Sequence, residues 1–120
     1  MSTAKDIARQ YLDALDRKDY ARARSYLIDD LAFFGPIDTF NDADSLIGAL
    51  KKLGTMLESI DVKSFLCEEN QVGVLCEMTM KPPAPRSTFV SEWYRVEGGK
   101  IVLIRVLFDA RPFAAMFGVK

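Results

Sequence analysis

The chain has 120 residues, 49% of them apolar and 28% charged, with 17 acidic and 16 basic side chains and a net charge of −1. That balance fits a single domain, residues 1–120, able to bury roughly two-thirds of its unfolded surface, and it lacks the basic footprint of a nucleic-acid binder. The sequence contains no histidine, which removes Ser-His-Asp and Cys-His nucleophile systems, His-ligated zinc and the commonest general base.

The opening MSTAKDIARQ has no apolar leader, and the longest apolar run, Ile101 to Phe108, is broken by Arg105. A cytoplasmic protein with no membrane span is expected. No Gly-rich phosphate loop, CxxC pair or EF-hand pattern occurs, so neither cofactor nor metal is expected.

Thr3 and Asp6 form a capping-box-like start, followed by Ile7, Ala8, Tyr11, Leu12 and Leu15 at helical spacing to about Arg17. Asp19 can cap a second helix from Tyr20 to about Leu27. A short strand, Leu31 to Phe34, is stopped by Gly35-Pro36, and a second extended piece is expected at Thr39-Phe40. Asn41, Asp42 or Asp44 caps a third helix to about Leu53.

Glu58–Cys67 and Val72–Met80 read as a hairpin turning at Glu69-Asn70-Gln71. This register sets Lys63 opposite Glu77 and puts Cys67 and Cys76 on opposite faces, unable to pair as a disulfide. After the Pro-rich connection Lys81–Ser87, Thr88 to Phe113 reads as a long hairpin, apolar on both faces. A sheet of that kind has to be covered on both sides. The order of elements gives an α+β domain, three helices packed on one face of a curved, mainly antiparallel sheet.

Glu92 stands in the apolar part of the last hairpin, an expensive place for a charge. A three-residue turn at Glu97-Gly98-Gly99 places it with Tyr94, Val96, Ile104, Val106 and Phe108 on a pocket wall. There desolvation would favour the neutral acid. A two-residue Gly98-Gly99 turn would instead set it opposite Arg105, as a structural ion pair. Gly-Gly permits both turns; the pocket register is adopted here. It leaves Phe89, Trp93, Ile101, Leu103 and Leu107 on the other face, joined by Phe65 and Leu75, as the surface of an expected two-fold homodimer.

The strings ARQYLDALDRKDYARARSYLIDDLAFFGP and EWYRVEGGKIVLIRVLFDARPF resemble the nuclear transport factor 2-like superfamily, which includes ketosteroid isomerase and the SnoaL-like polyketide cyclases. The resemblance spans nearly the whole chain and implies a cone-shaped, cystatin-like fold. Ketosteroid isomerase carries its oxyanion-hole tyrosine in an Arg-Tyr-x-x-Ala-Leu context, and Tyr11 of RQYLDAL falls there. Its second donor, a strand acid, corresponds to Glu92. Its catalytic base precedes a proline, a position held here by Gly35, with Asp38 three residues on.

The resulting expectation is a pocket for a small apolar ligand. Glu92, Tyr11 and Asp38 are the candidate catalytic groups, and Phe33, Phe34, Met56, Met78, Tyr94, Ile104 and Phe108 form the apolar wall. Catalysis there would be cofactor-free isomerase, cyclase or dehydratase chemistry by proton transfer. The competing expectation is a non-enzymatic dimerisation or protein-interaction module whose pocket is filled by its own side chains, such as Phe113 and Phe117.

Overall fold

The computed structural model describes residues 3–113. Thr3 closes a full capping box with Asp6 and opens α1, Ala4–Asp16, whose buried stripe includes Ile7, Ala8, Tyr11, Leu12 and Leu15. Asp19 caps α2, Tyr20–Ser25, which ends earlier than the apolar spacing suggests. The chain then enters β1, Leu27–Phe34, which begins four residues before the expected Leu31. Arg24 fixes this corner: its guanidinium binds Asp29 at 2.6 Å, Asp44 at 2.7 Å and the Leu27 carbonyl at 3.1 Å.

Strand β2, Thr39–Phe40, lies where the sequence places it. Asp42 caps α3, Ala43–Gly54, accepting from the Ser45 backbone at 2.7 Å. Four long strands follow: β3 Leu57–Glu68, β4 Gln71–Met80, β5 Ser87–Glu97 and β6 Lys100–Leu107. A short 3-10 turn, Arg111–Phe113, ends the described chain. Among the described residues no helix is long and apolar enough to cross a membrane.

The sheet order is β2-β1-β6-β5-β4-β3, with β1 parallel to β6 and every other pairing antiparallel. This corrects the expected cone-shaped domain on a curved sheet. The sheet is mixed and open, not strongly curled, and its terminal strands β2 and β3 do not meet. Closure requires edges that can pair. Here one edge is a two-residue strand, and the other is rimmed by Glu58, Asp61, Lys63 and Glu68, charges that discourage pairing. Asp16, at the end of α1, further occupies the β3 edge by accepting from the Ile60 backbone N–H at 2.9 Å.

Both hairpins turn through two residues, not three. Glu68 pairs with Gln71 across Glu69-Asn70, with Glu69 at φ 54°. Glu97 pairs with Lys100 across Gly98 and Gly99, both at positive φ, as a type I′ turn demands. Each strand pair then changes register. In β6 the shift leaves Val102 unpaired, so Tyr94 faces Ile104, Trp93 faces Arg105 and Glu92 faces Val106. The extra residue inverts the faces. Glu92 therefore turns inward despite the short turn, and the ion pair with Arg105 does not form.

The two-residue turn also corrects Ile101, which lies between it and the shift: Ile101 pairs with Val96 and is fully buried in the core, not part of the outer face. In β3 the shift falls at Lys63; Phe65, between it and the two-residue turn, is set inward opposite Val74 by that turn, against the expected outer position. Lys63 still reaches Glu77, at 3.7 Å, and Asp61 at 2.6 Å. Cys67, opposite Val72, shares the inner face with Cys76 but lies far along the strand; both thiols are free.

The core sits between the inner sheet face and the three helices. Leu27, Leu31, Leu46, Tyr94, Ile101 and Ile104 are among its fully buried side chains, each worth about 1.5–3 kcal/mol of apolar burial. The outer face keeps Leu75, Phe89, Trp93 and Leu107 exposed, with Leu103 half-buried. The Trp93 ring lies over Gly73, where a Cβ would come within 2.6 Å of it.

Candidate functional site

Strand alternation sends Val90, Glu92, Tyr94 and Val96 to the inner face of β5. Glu92 is 5% exposed, the only charged side chain among the buried described residues. Its hydrogen bonds come from Tyr94 Oη, donated to Oε1, and from Cys76 Sγ on β4, 3.8 Å from Oε2. Tyr11, projecting from α1, meets the Tyr94 ring edge-on with centroids 5.8 Å apart. Three elements thus bring four protic side chains into one apolar layer.

Burial governs the electrostatics of this group. Desolvation pushes the Glu92 carboxyl above the usual carboxylate range, and the Tyr94 and Cys76 hydrogen bonds pull only partly the other way. Desolvation first, and then the Glu92 charge, push Tyr11, Tyr94 and Cys76 up. Every member is therefore driven toward its neutral form, and Cys76 is held as an unreactive thiol. Among the described residues no three Cys, Asp or Glu side chains converge as metal ligands do.

The expected wall is gathered only in part. Ile104 is buried beside Tyr94, while Phe33, Met78 and Phe108 are partly buried against the same core. Met56 belongs to an adjoining cluster with Leu57, Met80, Ala84 and Phe113. Phe34 is corrected: neighbouring strand residues point to opposite faces, and with Phe33 inward Phe34 lies outside, 46% exposed, under the Arg105 guanidinium at 5.3 Å. Asp38 is exposed in the β1–β2 turn, where its carbonyl accepts from Gly35 N at 2.9 Å; the structure does not bring it to Glu92.

Phe113 seals one end of the layer, 5% exposed and packed edge-on against Phe108 with centroids 5.3 Å apart. Phe117 lies outside the described residues. Two open concavities occur elsewhere. A cleft of about 400 Å³ between α1 and β3 is lined by Arg9, Asp16, Ile60 and Phe65, and a groove of about 250 Å³ on the outer face by Trp93, Arg95 and Arg105.

Sequence reasoning took Tyr94 as apolar wall. The signal for its polar role was the E-x-Y spacing itself, which puts acid and hydroxyl side by side on one strand face.

Fold and site together define a small α+β domain with an acid buried between helices and sheet. A SnoaL-like domain model matches residues 8–104, and the chain belongs to that family, within the nuclear transport factor 2-like superfamily. A nuclear transport factor 2-like protein of unknown function from Cytophaga hutchinsonii aligns with a TM-score of 0.84 at 22% identity, over 94% of this chain and 96% of that one. An LEH-like epoxide hydrolase from M. tuberculosis aligns with a TM-score of 0.79 at 17% identity, over 95% and 88%. A protein of ketosteroid isomerase-like fold from Catenulispora acidiphila, solved with trimethylamine, gives 0.76 at 13% identity, over 96% and 94%. Identities this low establish the fold alone. Comparison with curated proteins gives no match.

Proposed function

We propose that this SnoaL-like domain binds a small apolar, ring-shaped molecule carrying one oxygen, held between the helices and the inner sheet face with Glu92 as its polar anchor. One observation carries this reading: an acid 5% exposed among apolar side chains, its neutral form favoured by burial. A neutral carboxyl is a hydrogen-bond donor, which a carboxylate is not. Such a group can donate to a ligand oxygen.

The chemistry open to this anchor is cofactor-free proton transfer. Glu92 would protonate the ligand oxygen, and the Tyr94 hydroxyl on Oε1 would offset the negative charge left on its carboxylate. Gly35 at the isomerase-like base position, together with exposed Asp38, favours a cyclase-like step that needs a single positioned acid. Phe33, Met78, Ile104 and Phe108 supply the apolar contacts.

A thermal-shift screen with steroids, phenols, polycyclic aromatics and lactones on wild type and Glu92→Leu tests this. Ligand at a hundredfold its Kd adds about 2.7 kcal/mol, a shift of several degrees. Binding weakened about tenfold in Glu92→Leu, which has no donor, is expected; equal shifts in both proteins would remove Glu92 from the site.

Phe113 favours a second reading, an interaction module whose pocket is self-filled. That reading predicts no ligand shift in wild type and new binding of a hydrophobic dye in Phe113→Ala. Both readings share a homodimer formed through the exposed face of Leu75, Phe89, Trp93 and Leu107 with Leu103. Covering each of these half-exposed side chains contributes roughly 1 kcal/mol before association costs. The outer-face charges Arg95 and Arg105 already have Glu97 and the Phe34 ring as partners.

A further inference from the structure

Tyr94 and Glu92 lie two residues apart on β5, a spacing that sets their side chains on the same face. Tyr94 Oη donates to Glu92 Oε1, and Tyr94 is itself 2% exposed. A phenol has one proton to give, so this bond uses the donor capacity of Tyr94. A carboxyl oxygen accepting such a bond is the carbonyl oxygen of the neutral acid, which leaves the proton of the acid on Oε2. Among the described residues the hydrogen-bond partner of Oε2 is Cys76 Sγ, at 3.8 Å, a long contact to a poor hydrogen-bonding group. A ligand oxygen readily replaces such a contact.

We infer that Tyr94 is the positioning residue of this site: by pinning Oε1 it turns the carboxyl of Glu92 so that Oε2 carries the proton and is the oxygen offered to the ligand. The inference deepens the ligand-binding reading above and rests on it, but its geometry can be tested without any ligand. Among the described residues the titratable groups facing Glu92 are few. Tyr11 comes from α1, Cys76 from β4 and Tyr94 from β5 itself, while β6 places Val106 opposite.

The test is a carbon-13 NMR titration of wild type, Tyr94→Phe and Cys76→Ala, with the Glu92 carboxyl assigned by its loss in Glu92→Gln. In wild type the Tyr94 Cζ resonance is expected to inflect at the same pH as the Glu92 carboxyl. Tyr94→Phe removes a bond that favours the charged acid, so the Glu92 midpoint moves to higher pH; Cys76→Ala moves it less. Two independent inflections in wild type would overturn the inference even if Tyr94→Phe failed to fold. So would an unchanged midpoint in a folded Tyr94→Phe. Failure here, with ligand binding still dependent on Glu92, would remove the role of Tyr94 and leave the anchor. Coupled inflections with no ligand shift would remove the ligand reading and leave the pair.

Discussion

In the folded chain the neighbours of Glu92 are apolar or neutral, whereas in the unfolded chain they are water. Its folded pKa is raised by desolvation, so on raising the pH the unfolded carboxyl ionises first. Its contribution is full below the unfolded value of about 4.3 and is lost as pH rises through the folded one. Glu92→Gln abolishes that loss. Its melting temperature, relative to wild type, should rise as the pH is raised above about 4.3; a difference that stays flat would mean that the native pKa of Glu92 is not raised. The sequence made this residue conspicuous because a lone acid in an apolar hairpin stands out by composition. It concealed the partner hydroxyl of Tyr94, since a tyrosine among apolar residues is equally good as plain core.

At the level of single elements, local chemistry was readable wherever it involves neighbours in the chain. Thr3 and Asp6 form their capping box, and Asp42 starts α3 from among three candidates. Asp42 holds both the backbone N–H and the hydroxyl of Ser45, at 2.7 and 2.8 Å. Asp42→Ala should therefore cost about 1 kcal/mol in urea-unfolding stability, and Asp42→Asn distinctly less. Strand register was harder to read, because a register shift is decided by packing across the sheet and leaves no mark in local spacing. Phe65 and Ile101 both fell on the wrong face because their turns hold two residues and not three; each lies between its turn and an unpaired residue, Lys63 or Val102, beyond which the expected faces return.

Over the whole molecule, the order of helices and strands was legible from periodicity, but the open, mixed sheet was not. The parallel neighbour relation of β1 and β6 joins segments too distant in sequence for periodicity to link. The outer face is the largest feature not accounted for within one chain. Trp93 is 45%, Phe89 57% and Leu107 62% exposed, a cluster that a solitary protomer would leave to water. Light scattering should give twice the chain mass for wild type. Leu107→Glu combined with Trp93→Ser should give a monomer with unchanged far-ultraviolet circular dichroism. A wild-type monomer at micromolar concentration would rule out the homodimer.

The unpaired Val102 implies an asymmetry between losing and gaining a residue. Regular alternation from Ile101 to Ile104 needs one position fewer than β6 contains. A deletion of Val102 would restore even spacing with Ile101, Ile104 and Glu92 all still inward. An inserted alanine at the same place must be absorbed by a second irregularity, or else it slides the rest of β6 two residues along β5, with faces kept but Ile104 moved from Tyr94 to Glu92. For this strand the length of the chain therefore matters more than the identity of the residue. The deletion should melt within a few degrees of wild type and the insertion well below it.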